Sequence, residues 1–151
     1  YLYNVQRLLR KFDSARSIVP APVERKAAKA TRIGAIYYGS TTPAMDEAII
    51  ALEAQDLQVD LLRVRAFPFA DAVNEFIESH DLVFVVEQNR DAQLRTLLVN
   101  ELDIDPAKLM RVLHYDGTPI TARFITRAIG DHLRAIGGRP APVRSAPAAR
   151  A

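Results

Sequence analysis

The 151-residue chain contains no cysteine, so no disulfide, thiolate metal site, cysteine nucleophile or cysteine-held iron–sulfur cluster can form within it. Its apolar runs are of strand length, far short of the roughly 20 residues that a membrane helix needs. No signal-peptide pattern opens the chain. These absences remove a large part of enzyme chemistry, and they predict a soluble, cytoplasmic protein that does not contact a membrane.

The composition favours one compact globular domain, because 49% of the residues are hydrophobic and 25% are charged, which is enough for one core. Charge is unevenly distributed along the chain. Residues 1–31 carry seven basic and two acidic residues, a net charge of +5, and residues 32–136 carry ten basic and sixteen acidic residues, a net charge of −6. The tail carries three arginines and a net charge of +3. Basic arms can touch nucleic acid, but neither arm interleaves aromatic with basic residues as single-strand binders do. Solvated linkers are therefore the favoured interpretation, and nucleic acid is not an expected partner.

Three segments are predicted along the chain. Residues 1–30 form an N-terminal helix and a connector, because apolar residues at positions 5, 8, 9 and 12 have helical spacing and Pro20 and Pro22 then block a helix. Residues 31–136 form an α/β domain, and residues 137–151, rich in Pro, Ala and Arg, form a disordered tail. Since the chain begins at Tyr1 and not at methionine, we expect a segment of a longer protein.

Short apolar runs alternate with amphipathic segments through the predicted domain. The runs RIGAIYYG (32–39), VDLLRV (59–64), LVFVVE (82–87) and LMRVLHY (109–115) predict four buried strands. A helix is predicted after each strand, with Pro43 at the start of the first and Thr118-Pro119 capping the last. This alternation requires right-handed crossovers, so the predicted fold class is α/β: a three-layer α/β/α domain with a mostly parallel sheet of four or five strands.

Ligands and partners of such sheets meet the carboxyl ends of the strands, where several loops of this chain are predicted to converge. One of them, YGSTTP (38–43), offers Ser40 and backbone N–H groups to a phosphate or carboxylate. Capping of the following helix needs only one of its hydroxyls. The loop lacks the remaining glycines of a dinucleotide fingerprint and the lysine of a P-loop, so both interpretations stay open.

The stretch EQNRDAQ (87–93) brings acids, amides and an arginine together at the same edge. Arg90 and Arg95 are candidates to clamp an anion bidentately, whereas Asn89 or Asp91 can cap the next helix. The density of polar groups exceeds what capping requires, so a binding edge and a cap are both predicted here. The candidate interface residues of this stretch are Glu87, Asn89, Asp91 and Gln93.

The other polar groups do not complete a catalytic set. His114 and Asp116 are two apart, as for a base oriented by a carboxylate, but no serine or cysteine nucleophile accompanies them, and a turn is favoured. His80 and His132 lack metal-ligand spacing and are predicted to be structural. In RVRAFPF (63–69) the two aromatic residues are predicted at a core edge or a subunit interface. These aromatic interface candidates are Phe67 and Phe69.

Four blocks of the sequence, taken in order, resemble one protein family. IGAIYYGSTTPAMDEAI, LRVRAFPF, VFVVEQNRDAQLRTLL and LHYDGTPITARFI are similar to the C-terminal portion of the alpha subunit of 2-oxoacid:ferredoxin oxidoreductases, most of all those acting on 2-oxoglutarate. The resemblance covers about residues 31–130, and the connector is similar as well. It implies a transketolase C-terminal-like domain, in which one edge strand runs antiparallel to the rest; SIVPAPV (17–23) is the candidate for that strand.

The resemblance implies an enzyme that depends on thiamine diphosphate and magnesium. Such enzymes convert a 2-oxo acid and coenzyme A to acyl-coenzyme A and CO2 and pass electrons through an iron–sulfur cluster to ferredoxin. The cofactors are implied to be held upstream or by the beta subunit, so this segment alone is not expected to be active, to bind metal or to hold a catalytic residue. Ser40, Arg90 and Arg95 are candidates to contact coenzyme A or the partner chain. The family often has glycine where this chain has Ala92.

Two other functions remain open at this point. The chain is alternatively a freestanding binding module that holds nucleic acid through its basic arms, with binding that salt weakens. The second alternative is that the chain is a domain of a related transketolase-like enzyme, such as a 2-oxo acid dehydrogenase component.

Overall fold

The structure is a computed structural model that describes residues 1–137, so the predicted tail lies outside the described residues except for Gly137. The strands are β1 (Val23–Arg25), β2 (Ile33–Tyr38), β3 (Asp60–Val64), β4 (Leu82–Glu87) and β5 (Leu109–Leu113). The α-helices are α1 (Leu2–Ala15), α2 (Thr42–Glu53), α3 (Asp71–Glu78), α4 (Gln93–Leu102) and α5 (Ala122–Ala135). Short 3-10 helices at Gly39–Thr41 and Pro106–Lys108 precede α2 and β5. None of the helices in the described part of the chain is both long and apolar enough to cross a membrane.

The five strands form one sheet in the order β1-β3-β2-β4-β5. Strand β1 runs antiparallel to β3, with Val23 opposite Arg63, and the other neighbouring pairs are parallel. Every residue of β4 is buried, as expected of a parallel strand covered on both faces. The arrangement confirms the predicted α/β fold with a mostly parallel sheet, and it includes the antiparallel edge strand that the family resemblance implied.

Two apolar cores lie on opposite faces of the sheet because successive strand residues point to opposite sides. On one face α2 and α5 pack against residues such as Ala35 and Phe84. On the other face α3 and α4 pack against residues such as Ile36 and Val85. The helices therefore form the outer layers of a three-layer domain.

Gly34 lies in β2 beneath α3, where there is no space for a side chain. A Cβ at Gly34 would lie 2.8 Å from Phe76 Cε1 and 3.3 Å from His80 Cγ, and both rings are buried. We expect Gly34→Ala to lower the free energy of unfolding by about 2 kcal/mol because the rings cannot move aside freely. Urea unfolding followed by circular dichroism measures this change.

Gly130→Ala in α5 is the matched control for that substitution. The atoms nearest to a Cβ at Gly130 belong to the guanidinium of Arg134, a flexible side chain that is about half exposed and able to shift. Removing a glycine from a helix interior stabilises by up to about 1 kcal/mol. A Gly34→Ala variant as stable as Gly130→Ala would contradict the tight packing beneath α3.

Three predicted boundaries differ from the structure. Only Val23 of SIVPAPV belongs to the antiparallel strand, which begins after Pro20 and Pro22 because proline has no N–H to donate to a ladder. Since β1 is part of the sheet, the domain boundary predicted at residue 31 leaves one strand outside. Thr118-Pro119 does not cap the last helix; the hydroxyl of Thr121 does so, accepting a hydrogen bond from the N–H of Phe124 at 3.2 Å.

Candidate functional site

The carboxyl ends of β2 and β4 form a crevice in the middle of the sheet edge. These strands are neighbours, but β2 leads into α2 on one face and β4 leads into α4 on the other. The two loops therefore diverge, which is the arrangement that creates ligand and partner sites in open α/β sheets. Residues 39–41 and 88–92 line the two sides of this crevice.

Gln88 ties together three loops at this edge. Its Nε2 donates to the hydroxyls of Ser40 and Thr41 at 3.1 and 3.2 Å, and its Oε1 accepts from the N–H of Ile120 at 3.3 Å. The amide thus holds the 3-10 helix before α2 and the loop before α5 in one position. The sequence analysis placed Gln88 in the right loop but gave it no role; a residue that directly follows a fully buried strand is the signal that identifies it.

Glu87 is fully buried and caps α4 from a distance. Its Oε2 accepts hydrogen bonds from the N–H of Leu94 at 2.7 Å and from Asn89 Nδ2 at 2.7 Å, and its Oε1 accepts from the N–H of Arg95 at 3.1 Å. A carboxylate at a helix N-terminus is stabilised by the unpaired N–H groups and by the helix dipole. The expectation that Glu87 faces a neighbouring subunit is therefore wrong, because its carboxylate points into the protein.

Asn89 supports the same helix start. Its Oδ1 accepts from the N–H groups of Asp91 and Gln93 at 3.1 and 3.2 Å, which confirms the predicted capping role. Ala92, between this turn and α4, has a left-handed backbone with φ 52° and ψ 50°, a conformation that glycine adopts without a steric penalty. This geometry gives a physical reason for glycine at that position in the family that the sequence resembles.

The two arginines of the stretch do not form a common anion clamp. Arg90 is exposed and pairs with its neighbour Asp91, with Nε to Oδ1 at 2.7 Å. Arg95 turns away and donates to the backbone oxygens of Leu109 and Pro106, both at 2.7 Å. The predicted joint clamp is therefore corrected: Arg95 connects α4 to the start of β5, and Arg90 alone stands at the surface.

The two phenylalanines of the β3–α3 loop also have different environments. Phe69 is 3% exposed and belongs to the core under α3, so of its two predicted places the core is confirmed and the interface is wrong. Phe67 is 43% exposed and stacks edge-on against Phe69 at 5.3 Å between ring centroids. Phe67 is thus the aromatic side chain that this loop presents to solvent.

A cavity of about 420 Å³ opens beside Phe67 at the carboxyl edge. Its lining is mainly apolar, from the ends of β2 and β3, the β3–α3 loop and the first turns of α4. Arg65 and Gln93 supply polar groups to the lining, and the guanidinium of Arg65 has one long contact, 3.5 Å to the oxygen of Ala21. The cavity is therefore suited to an apolar group that carries a polar or anionic end.

His114 and Asp116 form a turn, as the sequence analysis favoured. Asp116 Oδ1 accepts from the N–H and the hydroxyl of Thr118 at 2.9 and 2.7 Å. The backbone hydrogen bond from Thr118 is the main reason that the pKa of Asp116 lies below its usual range. His114 Nε2 lies 3.0 Å from the oxygen of Thr118, so both side chains are engaged within the loop.

A buried polar cluster that the sequence analysis did not predict lies at the opposite end of the sheet. Asp60 accepts hydrogen bonds from the N–H of Ala27 at 2.8 Å and from Lys26 Nζ at 3.0 Å, and it lies 3.2 Å from His80 Nε2. Burial raises the pKa of Asp60, but the hydrogen bonds from Ala27, Lys26 and His80 outweigh it, and the pKa lies below its usual range. The cluster fastens the end of β1 to the sheet. Its signal in the sequence is an acidic residue inside the apolar run 59–64, at the position where the strand begins.

The described residues do not provide a metal site of their own. Within residues 1–137 no group of three or more His, Cys, Asp or Glu side chains is arranged to hold a metal ion. The N-terminus of α4, which is the natural place for a diphosphate at this edge, already holds the carboxylate of Glu87. The donor set of this domain therefore does not fit magnesium and thiamine diphosphate.

The sheet order, the antiparallel edge strand and the crevice define an α/β domain of the transketolase C-terminal type. No protein-family model and no curated protein sequence matches the chain, but solved structures do. One is 2-oxoglutarate:ferredoxin oxidoreductase from Magnetococcus marinus with 2-oxoglutarate, coenzyme A and succinyl-CoA bound. The TM-score is 0.70 and the sequence identity is 22%, and the match covers 80% of this chain and 21% of that chain. A split gene transketolase, an inactive beta4 tetramer, has a TM-score of 0.58 and 17% identity, over 75% of this chain and 41% of that one.

A third solved structure is the alpha chain of a probable 2-oxoacid ferredoxin oxidoreductase from Thermoplasma acidophilum. It has a TM-score of 0.50 and 25% identity, with 76% of this chain and 97% of that chain covered. The present chain spans about a fifth of the Magnetococcus chain and less than half of the transketolase chain. The structural neighbours thus include the two classes of protein that the sequence resemblance named, over most of the described fold.

Proposed function

We propose that the chain is the C-terminal domain of the alpha subunit of a thiamine diphosphate-dependent 2-oxoacid:ferredoxin oxidoreductase, with 2-oxoglutarate as its 2-oxo acid. The observation that supports this most is the similarity of the fold to a 2-oxoglutarate:ferredoxin oxidoreductase, with a TM-score of 0.70 and 80% of this chain covered. In the proposed enzyme the domain serves assembly and shapes the entrance to an active site that other domains or the beta subunit form. Ferredoxin receives the electrons.

Assembly is the role that the carboxyl edge of the sheet supports. Phe67 is exposed beside a mainly apolar cavity, and aromatic side chains in such positions are typical anchors of protein interfaces. Gln88 and Glu87 hold the turn at residues 39–41, the start of α4 and the loop before α5 by internal hydrogen bonds, so this part of the edge is preformed before a partner arrives. A preformed surface lowers the entropy lost on association.

The contact with coenzyme A is assigned to Arg90 and Ser40. Arg90 is 74% exposed in its side chain and needs only to leave Asp91, an exposed ion pair of small energy. The Ser40 hydroxyl accepts from Gln88, which leaves its own hydrogen available to a phosphate oxygen. Arg95 is not included because its guanidinium already binds two backbone oxygens.

The cofactors of the proposed enzyme lie outside this domain. Thiamine diphosphate supplies the stabilised carbanion that permits decarboxylation of a 2-oxo acid. The residues described here contribute by excluding water from the entrance and by orienting neighbouring chains, since their donor set does not fit the diphosphate and its metal ion.

The test is to place an affinity tag on the protein at its own locus and to purify its complex without oxygen. We expect reduction of a viologen dye that requires both a 2-oxo acid and coenzyme A, fastest with 2-oxoglutarate. A cofactor-loaded complex without activity towards any 2-oxo acid would overturn the proposal. Transfer of two-carbon units between sugar phosphates by that complex would instead place the protein with the second class of structural neighbour.

Arg90→Ala tests the coenzyme A contact in the same complex. We expect the apparent KM for coenzyme A to rise by about 10-fold, because one charge-assisted contact to a phosphate is lost. The value of kcat should remain within about twofold, because the residue contacts no reacting atom. Arg127→Ala is the matched control, since Arg127 is also exposed and lies on α5, which packs on the face of the sheet opposite α4. Equal KM values for the two variants would remove Arg90 from the site.

A further inference from the structure

His80 is a buried histidine whose two ring nitrogens both face oxygen atoms. It follows α3 in the chain and is 2% exposed. Its Nδ1 lies 2.6 Å from the backbone oxygen of Phe76, and its Nε2 lies 3.2 Å from Asp60 Oδ2. A backbone oxygen and an ionised carboxylate only accept hydrogen bonds, whereas a neutral imidazole has a single N–H. A neutral ring therefore satisfies one of these contacts and turns a lone pair towards the other oxygen.

The packing around the ring leaves no other way to satisfy both contacts. The ring stacks on Phe76 with 4.3 Å between centroids, and Gly34 approaches it so closely that a Cβ there would lie 3.3 Å from His80 Cγ. The hydroxyl of Ser79 lies 3.2 Å from Nδ1 but donates to the oxygen of Phe76 at 2.9 Å. The observed geometry thus fits a ring that carries a proton on each nitrogen.

The charges in the cluster around Asp60 favour that doubly protonated ring. Burial raises the pKa of Asp60, but the hydrogen bonds from Ala27, Lys26 and His80 outweigh it, so the carboxylate is ionised well below neutral pH. The hydrogen bonds of Lys26 with Glu24 and with Asp60 raise its pKa above the ordinary 10.5. Histidine is the residue type that gains or loses a proton near neutral pH. His80 is therefore the member of the cluster whose charge changes there.

The other charged groups near His80 form pairs of opposite sign. Asp81 pairs with Arg32, with 2.6 Å between Oδ1 and Nη2, and the hydrogen bond from Arg32 is the main reason that the pKa of Asp81 lies below its usual range. Lys108 pairs with Glu78 at 3.4 Å beside the end of α3. The charges of each pair largely cancel at the ring, so Asp60 is the carboxylate that decides its protonation.

We propose that the Nε2 proton of His80 is a pH switch that fastens residues 26 and 27 to the sheet and releases them when it is lost as the pH rises. Loss of the proton leaves a lone pair against the carboxylate of Asp60, which turns away towards the exposed Lys26. Its Oδ1 then no longer meets the N–H of Ala27, which donates to it at 2.8 Å. Because β1 ends at Arg25, directly before these residues, the edge strand loses its anchor at that end.

The direction of the effect follows from which form binds the proton. The attached form holds the proton of His80 in a hydrogen bond that the released form lacks, so attachment is complete at the acid end of the titration and is lost as the pH rises through it. Protonation of Asp60 at much lower pH also weakens the attachment. Residues 26 and 27 are therefore held most firmly between the titrations of the two side chains.

Nitrogen-15 NMR of the protein between pH 5 and pH 9 tests the proposal. As the pH rises, we expect the His80 ring shifts to report loss of the Nε2 proton and retention of the Nδ1 proton. With the same midpoint, the protection of the Ala27 N–H from hydrogen exchange, relative to an unstructured amide at the same pH, should fall at least about 10-fold, as for a lost hydrogen bond to a charged group. A neutral ring protonated on Nε2 throughout, or different midpoints for His80 and Ala27, would overturn the proposal.

Two histidine variants assign the effect to His80. In His80→Asn we expect the protection of Ala27 to vary less than about threefold over this pH range, because the titrating group is gone. His132→Asn is the matched control on α5, where the ring packs edge-on against Phe84 at 5.5 Å between centroids, and it should keep the full pH dependence. A pH dependence that persists in His80→Asn, or disappears in His132→Asn, would also overturn the proposal. If His80→Asn does not fold, the wild-type titration decides, and neither measurement depends on the proposed enzymatic function.

Discussion

Replacing Glu87 with alanine is expected to lower the free energy of unfolding by about 4 kcal/mol, a large fraction of the stability of an ordinary domain. The substitution removes the acceptor of three hydrogen bonds, from the N–H groups of Leu94 and Arg95 and from the side chain of Asn89. Each buried donor that loses its partner costs about 1–3 kcal/mol, and the first turn of α4 loses its cap. Urea unfolding at pH 7 followed by circular dichroism measures the change.

Glu101→Ala is the matched control for this prediction. Glu101 lies on the same helix but is exposed, and substitutions of that kind usually change stability by no more than about 0.5 kcal/mol. Glu87→Gln keeps one acceptor oxygen but turns an NH2 group towards backbone donors, so we expect a loss of about 2 kcal/mol. If Glu87→Ala and Glu101→Ala were equally stable, the buried carboxylate would not be the cap of α4.

The second large effect is expected at the opposite end of the sheet, where Asp60→Ala should cost about 3 kcal/mol. Asp60 is buried and accepts from the N–H of Ala27, and its loss leaves that donor and the ring of His80 without their partner. The exposed Lys26 contributes little to this value, because water replaces its partner. Glu78→Ala, which removes an exposed carboxylate paired with Lys108, is the control and should change stability by less than about 0.5 kcal/mol.

The same carboxylate makes the stability of the protein depend on pH. The pKa of Asp60 lies below its ordinary value of 3.8, so the unfolded state binds more protons than the folded state between the two values. The stabilisation is therefore complete above the unfolded pKa and is lost as the pH falls through the folded one. We expect wild-type protein to lose more stability than Asp60→Asn between pH 5 and pH 2.5, in urea unfolding series at fixed salt. Parallel curves for the two proteins would show that Asp60 does not contribute.

Most of the fold follows from hydrophobic patterning of the sequence. The run 82–87 is a strand over its whole predicted length, because a continuous apolar segment of six residues fits a parallel strand covered on both faces. The strand β1 was placed too early, since its backbone pairing with β3 depends on a partner distant in sequence and its own residues are all exposed. Local patterns carry little information about such a strand.

The site was predictable in its location but only in part in its contacts. The order of strands and helices is sufficient to bring residues 39–41 and 88–92 to one edge. The direction of each side chain is not local information: Glu87 and Arg95 both satisfy backbone groups far along the chain, at Leu94 and Leu109. In the sequence, Glu87 and Arg95 are charged residues of the same stretch as Arg90, and nothing local distinguishes them from Arg90, which is exposed.

The burial of Glu87 also has a consequence for the chemistry of this sheet edge. In many α/β proteins the helix start at this place is vacant until a phosphate of a ligand fills it. Here the chain carries its own anion into that position, two residues before the turn at Asn89, so the first turn of α4 is permanently occupied. A phosphate-bearing ligand approaching this edge must use other donors, such as the N–H groups and hydroxyls of residues 39–41. In Glu87→Ala the vacated position would match a small carboxylate in size and charge, and added formate would then act as an exchangeable replacement for the side chain.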